Sequence, residues 1–393
     1  MIVKKVIVAG HICLDMTPDL SSVDEGKRQS LLQPGRMIQS GGMTLSTGGA
    51  VPNAGLTLHK LGVPVQLIAK IGDDLFGQTI QEIIGREAPQ LVDDLIVDPG
   101  APTSFTIVLS APGYDRTFLH SHGANDTFYA SDLPRATLQR ADLFHFGYPS
   151  MMRSIYRGDG GELVSILQRA RREGLTVSLD FTLPEANGPA GKVDWPLILA
   201  NGLPLVDLFV PSVEELTFLL ARETFDRMYS DPDTPFIDAV TPELLDQLSE
   251  KVLAHGVKVL MVKMGHRGVY LRTGGTGVWE RGGRGLSGLG EEWHNRALWA
   301  PAFSVNVVGK SGAGDAAIAG FLGSLLQGTD PETALIMASA AGACSLEAPD
   351  AVSGLLPWAG IMARVKQGWK QVPLELKSPG WERNEIHGLW EKE

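Results

Sequence analysis

The stretch Ser304–Leu326, SVNVVGKSGAGDAAIAGFLGSLL, constrains the fold of this chain more than any other segment. Its apolar start at 305–308 predicts a strand that ends at Gly309, and apolar residues at helical spacing after Asp315 predict a helix. Between them lies Gly312-Ala313-Gly314-Asp315. A strand, a glycine turn and a helix in this order suit a phosphate site, because glycines let backbone N–H groups approach an anion and the helix N-terminus supplies unpaired donors. The alternative interpretation is an ordinary N-capped helix after a turn.

Asp315 falls in the first turn of the predicted helix, where the helix dipole favours a carboxylate. In that place it could also accept a proton beside a bound phosphate. Two other nucleotide loops are excluded by spacing. A P-loop would need glycine at Ser304, and a dinucleotide fingerprint would need glycine at Ala317.

Composition limits the classes of function. The chain has 393 residues, enough for one large α/β domain or two ordinary ones, and a formal net charge of −11, which argues against a nucleic-acid partner. The only cysteines, Cys13 and Cys344, are far apart, so their spacing indicates neither a disulfide framework nor a zinc site. This low use of cysteine is typical of a protein in the reducing cytoplasm. The start MIVKKVIVAG resembles a first strand more than a signal peptide, and no apolar run is long enough to span a membrane.

Alternating strand and helix patterns predict an α/β fold with a doubly wound, mainly parallel sheet flanked by helices. Short strands at 91–97, 103–110 and 116–120, with a hairpin turn at 112–115, interrupt this rhythm and predict a small β-rich region outside the main sheet. Segments rich in Asp, Pro, Gly and Arg are interpreted as surface insertions, and the polar C-terminal tail as a docking arm or oligomer contact. The insertions lie at 222–242 and 274–297, and the tail begins after about residue 370.

Two segments near the N-terminus carry candidate ligand residues. Asp15 follows the first predicted strand on the side where parallel sheets bind ligands, so it could accept hydrogen bonds from a polyol or simply initiate a loop. Gly48-Gly49 precedes a helix predicted to open near Pro52, and Asn53 falls in the first turn of that helix. From there the amide of Asn53 could reach a ligand lying over the glycines.

Two motifs carry a resemblance to a known family. Gly48-Gly49 with Asn53, followed by LGVPVQLIAKIGDDLFG at 61–77, resembles the N-terminal signature of the ribokinase-like (PfkB) carbohydrate kinases. Gly312-Ala313-Gly314-Asp315 with its apolar helix resembles their C-terminal signature. The resemblance implies one ribokinase-like kinase domain at 1–370, with lid segments at about 12–47 and 100–124, and a polar tail at 371–393.

The resemblance also implies a reaction and its residues. The reaction is ATP-dependent phosphorylation, with Mg²⁺, of a hydroxymethyl group on a sugar, sugar acid or nucleoside. Asp315 matches the family's catalytic base, and the backbone of Gly312, Ala313 and Gly314 matches its anion hole. The positions matching substrate-binding residues are Asp15, Gly48, Gly49 and Asn53.

On the nucleotide side, Glu215 matches a residue that the family links to Mg²⁺ through water, and Gly265 and Gly268 match a turn beside the nucleotide. The full set of expected cofactor-binding positions is Ser212, Glu215, Lys263, Gly265, Gly268, Lys310 and Ser339. Four of these positions, the last of them Lys310, lie where the sequence departs from the family pattern. Ser212 replaces an asparagine, Lys263 stands where threonine is common, and Ser339 stands where asparagine is common.

The fourth departure is Gly309-Lys310-Ser311, where the family usually has an aspartate and a threonine before its glycine turn. Because that aspartate often helps to bind a monovalent cation, potassium activation is doubtful, and the ammonium of Lys310 could replace the cation or contact a phosphate. Two further residues are weaker candidates for the site. Asp180 ends a strand at the ligand-facing edge of the sheet but is equally well explained as structural. Arg116 could reach the substrate from the lid but is better explained as a solvated hairpin residue. The alternative function is a non-catalytic ligand-binding protein that retains the kinase fold. A homodimer through the lid is the expected protein partner.

Overall fold

Residues 4–23, 34–35, 37–110, 116–279 and 281–392 are described by the structure, a computed structural model of the chain. The predicted hairpin turn at 112–115 and part of the segment 12–47 lie outside these residues. The strands, in chain order, are β1 (Val6–Gly10), β2 (Cys13–Pro18), β3 (Met43–Gly48), β4 (Val65–Ile68), β5 (Lys70–Gly72), β6 (Ile96–Asp98), β7 (Phe105–Leu109), β8 (Thr117–Ser121), β9 (Leu143–Gly147), β10 (Thr176–Leu179), β11 (Leu208–Phe209), β12 (Val259–Lys263), β13 (Val269–Thr273), β14 (Ala297–Ala300), β15 (Trp381–Asn384) and β16 (Leu389–Lys392).

The β-branched runs pair into one ten-stranded sheet of order β15-β16-β14-β13-β12-β11-β10-β9-β1-β4. From β4 to β12 neighbouring strands run parallel, and from β12 to β15 they run antiparallel. Both faces of this sheet are covered, because Val6 and Val8 of β1 enter one apolar core while Ile7 and Ala9 enter the other. The predicted mainly parallel, doubly wound α/β fold is confirmed.

Helices pack on both faces of the sheet. They are α1 (Ala50–Lys60), α2 (Leu75–Glu87), α3 (Arg135–Leu138), α4 (Arg153–Tyr156), α5 (Gly161–Arg172), α6 (Trp195–Gly202), α7 (Val213–Leu220), α8 (Arg222–Tyr229), α9 (Pro242–Leu253), α10 (Thr276–Trp279), α11 (Gly283–Leu286), α12 (Ala313–Leu326), α13 (Pro331–Ser345) and α14 (Trp358–Lys366). None of the helices in the described part of the chain is long and apolar enough to cross a membrane. Helices α12 and α13 pack closely: a Cβ on Gly320 would lie 2.7 Å from the Met337 carbonyl oxygen. Helix α12 also packs on α1, so the two helices that begin with the glycine motifs are neighbours.

A second, four-stranded sheet of order β3-β2-β7-β8 lies outside the main sheet. It contains two of the three short strands expected beyond the βα rhythm. The third expected strand, at 91–97, is instead a 3₁₀ turn at 89–92 followed by β6. The apolar side chains of Met43, Leu45, Phe118 and Leu119 on this sheet are 46–57% exposed.

The polar segment 371–393, expected to be a tail, contributes the hairpin β15–β16 to the edge of the main sheet beside β14. Trp381 is buried there, with its ring centroid 6.2 Å from both Tyr270 and Trp299. Polar residues dominate this segment because only some of its side chains face the core. Strand β14 begins at Ala297, the last residue of the segment 274–297 that was interpreted as an insertion.

The prediction of a strand at 305–308 is wrong. The structure has no strand there, and the amides of Val308 and Gly309 donate to the carbonyl oxygen of Leu346 instead. Val307 and Val308 are 52% and 57% exposed, so their β-branched side chains do not mark a buried strand.

At the amino end of the parallel strands, a buried ionic group joins three elements. The fully buried carboxylate of Asp207 lies 2.8 Å from Lys258 Nζ and 3.0 Å from Arg171 Nη1. Its second oxygen accepts a hydrogen bond from the Val177 amide at 2.9 Å. Asp207 therefore ties the starts of β10 and β12 to α5.

Candidate active site

Helix α12 begins with an open N-terminus. Gly312 precedes it with φ 73°, a left-handed conformation that glycine adopts without strain, and no side chain caps the helix. The first amides of a helix have no partner within the helix, so the amides of Ala313, Gly314 and Asp315 form a site that favours an anion. The glycine turn and the helix that the sequence predicts are present, without the strand expected before them, and phosphate binding stays a prediction.

Asp315 lies in this first turn and is only 3% exposed. Asn53 Nδ2 donates to Asp315 Oδ2 at 2.9 Å, and the Tyr148 hydroxyl lies within hydrogen-bond distance of both carboxylate oxygens, at 2.9 and 2.8 Å. Burial raises the pKa of Asp315 above its ordinary value, against the opposing effects of Lys263 and of the hydrogen bonds from Asn53 and Tyr148. A buried carboxylate with a raised pKa, beside an anion site, has the properties of a general base.

Tyr148 is a site residue that the sequence reasoning missed. It directly follows β9 and adopts a left-handed conformation with φ 64°, which turns its hydroxyl toward Asp315. Its position at the carboxyl end of a central parallel strand was the available signal.

We expect Tyr148→Phe to move the acidic limb of the pH profile of kcat/KM to higher pH. The Tyr148 hydroxyl stabilises the charged carboxylate, so its loss raises the pKa of Asp315 and leaves less of the charged carboxylate at low pH. Tyr229→Phe, at an exposed position on α8, is the matched control and keeps the wild-type profile. An unchanged acidic limb in Tyr148→Phe would contradict the assignment of Asp315 as the titrating base.

Next to Asp315 lies a group of charges formed by Lys263, Asp180 and Glu215. Lys263 Nζ is 2.6 Å from Asp180 Oδ1 and 3.7 Å from Glu215 Oε2. Burial opposes the charge of Lys263, but the carboxylates outweigh it and raise the pKa of Lys263 above its ordinary value. The second oxygen of Asp180, Oδ2, is buried and has no hydrogen-bond partner among the described residues. Asp180, a weak candidate from sequence, is therefore part of the site.

Glu215 and Ser212 form a local cap at the start of α7. The Ser212 amide donates to Glu215 Oε2 at 2.6 Å, and the Glu215 amide donates to Ser212 Oγ at 3.2 Å. This capping box fixes the Glu215 carboxylate beside Lys263. Serine thus keeps the local geometry in the position where the family resemblance expects asparagine.

A cavity of about 530 Å³ opens against the start of α12. It brings together most of the positions that the resemblance assigns to the nucleotide. Those lining it are Lys263, Gly265, Gly268, Lys310 and Ser339, and Gly314 of the expected anion hole lines it as well. Position 268 has a φ of 92°, a conformation that favours glycine. The Ser339 hydroxyl donates a hydrogen bond to the Pro301 carbonyl oxygen at 2.8 Å. Lys310 is exposed at the rim and forms no ion pair with any residue that the structure describes.

The expected substrate residues surround the start of α1. Asp15 lies on β2 opposite Ser46 of β3, and a Cβ on Gly48 would lie 2.3 Å from Asp15 Oδ2. A Cβ on Gly49 would lie 2.5 Å from His11 Nδ1. The two glycines therefore leave room for the side chains of His11 and Asp15.

His11, Cys13 and His120 also come together, with one potential ligand atom of each within 4.8 Å of the others. Sequence spacing alone gave no sign of this group. Cys13 Sγ lies 3.3 Å from Asp15 Oδ1, and His120 Nδ1 lies 3.0 Å from Thr106 Oγ1. We interpret the group as a contact between the four-stranded sheet and the carboxyl end of β1.

Arg116 differs from its expected role as a solvated hairpin residue. Its Nη1 donates to Ser311 Oγ, immediately before the glycine turn. The four-stranded sheet thereby touches the segment that precedes α12.

Comparisons with known proteins show the family and the fold of this chain. A family model described as "pfkB family carbohydrate kinase" matches residues 4–359. Fructokinase-1 of Zea mays is 25% identical over 328 residues, 82% of this chain and 82% of that protein. The 2-dehydro-3-deoxygluconokinase of Thermoproteus tenax is 25% identical over 308 residues, 75% of this chain and 78% of that protein. The crystal structure of fructokinase with bound ATP from Xylella fastidiosa has a TM-score of 0.68 at 19% identity, covering 93% of this chain and 99% of that chain, which is a likeness of fold.

Proposed function

Since the chain belongs to the pfkB family of carbohydrate kinases and is a sugar kinase, we propose that it transfers the γ-phosphate of ATP to a hydroxymethyl group of a sugar or sugar acid. The observation that carries this proposal is the buried Asp315 at the open N-terminus of α12, in contact with Asn53. Relatives named as a fructokinase and as a 2-dehydro-3-deoxygluconokinase support these two substrate classes. Family membership favours catalysis over the non-catalytic alternative.

In the proposed reaction, the hydroxymethyl oxygen attacks the γ-phosphorus while the bond from that phosphorus to the bridging oxygen of ADP breaks. The hydroxyl proton passes to the Asp315 carboxylate. The amides at Gly312–Gly314 and the dipole of α12 stabilise the charge on the transferred phosphoryl group. Asn53 and Tyr148 orient the Asp315 carboxylate through the hydrogen bonds described above.

We propose that Asp15, Gly48, Gly49 and Asn53 bind the sugar hydroxyls. Their surroundings support this, because Asp15 is mostly enclosed and its carboxylate can accept hydrogen bonds from a polyol. The four-stranded sheet would serve as the lid of a kinase domain at 1–370, and its closure would exclude water and limit wasteful hydrolysis of ATP. Arg116 would help this closure through its contact with Ser311.

Magnesium is the metal that the family resemblance implies, and the residues fit it. Asp180 Oδ2 is a buried carboxylate oxygen without a partner among the described residues, and Glu215 supplies a second carboxylate nearby. Such oxygen ligands are those that Mg²⁺ prefers. When bound, Mg²⁺ would neutralise charge on the ATP phosphates. We propose no bound monovalent cation, because Gly309 stands where the resemblance expects the aspartate that helps to bind it.

An activity panel tests the proposed function. Consumption of ATP is measured with hexoses, pentoses, sugar acids and nucleosides, and the phosphorylated product is identified by mass spectrometry. We expect turnover with a sugar or a sugar acid that carries a hydroxymethyl group. Turnover with nucleosides alone, or with no compound of the panel, would contradict the proposed substrate class.

We also propose that the chain forms a homodimer through the four-stranded sheet. Its outer strands β3 and β8 are edges, and Leu45 and Phe118 on them are 46% and 53% exposed. The double variant Leu45→Lys/Phe118→Lys is expected to elute as a monomer in size-exclusion chromatography with light scattering. Ile386→Lys, at a 90% exposed position, is the control and stays dimeric. A monomeric wild type at tens of micromolar would overturn this proposal.

We also propose that the protein works in a reducing compartment such as the cytoplasm. Both of its cysteines are buried and free, as is usual in such a compartment.

A further inference from the structure

Lys263 occupies an unusual place for a lysine. It ends β12, its side chain is only 13% exposed, and it lies against the first turn of α12. A Cβ on Gly314 would lie 3.3 Å from Lys263 Cδ and 3.8 Å from Nζ. The ammonium is therefore beside the turn that binds the phosphate in the proposed function.

Two carboxylates hold this ammonium in place. One N–H of Nζ is directed to Asp180 Oδ1 at 2.6 Å, and Glu215 Oε2 lies at the longer distance of 3.7 Å. An ammonium has three donors, so at least one remains for a ligand. Because Lys263 lines the cavity against α12, an anion bound in that cavity can reach the remaining donor.

The lysine lies among carboxylates. Asp180 Oδ1 and Glu215 Oε2 face its ammonium at 2.6 and 3.7 Å, so the ammonium is part of a buried ionic group. Lys310, which the sequence reasoning offered as the extra cation, is exposed at the rim of the same cavity. A buried, oriented cation acts more strongly on a phosphoryl group than an exposed one, because water screens it less.

We infer that Lys263 is a catalytic residue that contacts the terminal phosphates of ATP, and that Asp180 is the positioning residue that holds its ammonium beside the turn at Gly312–Gly314. This inference rests on the proposed function. As the bond between the γ-phosphorus and the bridging oxygen breaks, negative charge grows on the leaving ADP and on the transferred group. The Lys263 ammonium stabilises that charge without giving up its proton, and Asp315 takes the proton of the acceptor hydroxyl.

The test compares Lys263→Met, which keeps the length of the side chain and removes its charge, with Lys366→Met at an exposed position on α14. We expect Lys263→Met to lower kcat by a factor of about 10²–10³, the cost of removing one preorganised donor. Lys366→Met keeps the wild-type kcat. Calorimetry in EDTA gives a second readout that needs neither magnesium nor turnover. There Lys263→Met weakens ATP binding about tenfold or more, and it leaves adenosine binding unchanged.

Removing the charge leaves Asp180 and Glu215 without their cation, so Lys263→Met is checked by thermal unfolding. If it is unfolded, Lys263→Met/Asp180→Asn removes the charge of both partners and is measured in its place, with Asp180→Asn alone as its reference. The double variant is expected to bind ATP in EDTA more weakly than Asp180→Asn, again with unchanged adenosine binding. Lys263→Arg replaces the ammonium with a planar guanidinium and keeps the positive charge. It is expected to recover part of the ATP affinity.

The outcomes separate the two claims. If wild type binds ATP but phosphorylates no compound of the panel, the proposed substrate class fails, and the ATP and adenosine affinities still decide the role of Lys263. Equal ATP affinities of wild type and Lys263→Met, with kcat within twofold, would overturn the inference. A parallel loss of ATP and adenosine binding would also overturn it, because it would indicate damage to the pocket rather than loss of a phosphate contact.

Discussion

Replacing Asp315 with Asn is expected to lower kcat by a factor of about 10²–10⁴, the range assigned to general-base catalysis. The asparagine amide has nearly the volume of the carboxylate, so the side chain stays buried beside Asn53 and Tyr148 while its negative charge is removed. It cannot accept the proton of the acceptor hydroxyl at neutral pH. Steady-state kinetics with the best substrate of the panel measure the effect, and KM for ATP is expected to change little, because the amides of the α12 turn remain.

Asp330→Asn is the matched control for this variant. Asp330 caps the next helix, α13, by accepting a hydrogen bond from the Thr333 amide at 2.7 Å, and asparagine is an equally good cap. Its kcat should therefore equal that of wild type. Asp315→Asn with near-normal turnover would remove Asp315 from the mechanism, whatever the control shows.

The largest expected effect on stability is at the opposite end of the sheet. Asp207→Ala should lower the free energy of unfolding by about 3–5 kcal/mol, the usual cost of removing one partner of a buried ion pair. Lys258, with a side chain only 4% exposed, would lose the carboxylate that lies 2.8 Å from its Nζ. The Val177 amide would also lose its acceptor. Urea denaturation followed by fluorescence measures the change.

The comparison is with Asp226→Ala, which removes the carboxylate of an exposed pair with Arg222 on α8. Exposed pairs of this spacing contribute about 0.3–0.5 kcal/mol, so the control should differ little from wild type. A loss in Asp207→Ala as small as that in the control would show that the buried group does not stabilise the sheet.

The parts of this structure that the sequence predicts are those set by local physics. Gly312–Asp315 is a contiguous motif whose glycine conformation and helix N-terminus need no distant partner. Gly48-Gly49 and Asn53 are equally local, and the regular βα alternation predicts the parallel sheet. The contact between Asn53 and Asp315 spans 262 residues, and here only the family resemblance placed the two together.

What the sequence did not reveal depends on tertiary context. The role of Tyr148 exists only because its hydroxyl meets Asp315, 167 residues away. The sequence offered Lys310 as the extra cation and gave Lys263 only as a departure on the nucleotide side, whereas the structure buries Lys263 beside Asp180 and Glu215. Val305 and Val307 line the cavity beside α12 instead of a sheet, so the β propensity of this segment was overridden.

The order of strands in the main sheet has a consequence for synthesis on the ribosome. Strand β1, the first of this sheet to be made, lies inside it between β4 and β9, so pairing can begin as soon as the first half of the chain has emerged. Strand β14 pairs with β16, which consists of residues 389–392. Until those residues leave the ribosome, β14 is an open edge to which another nascent chain can pair.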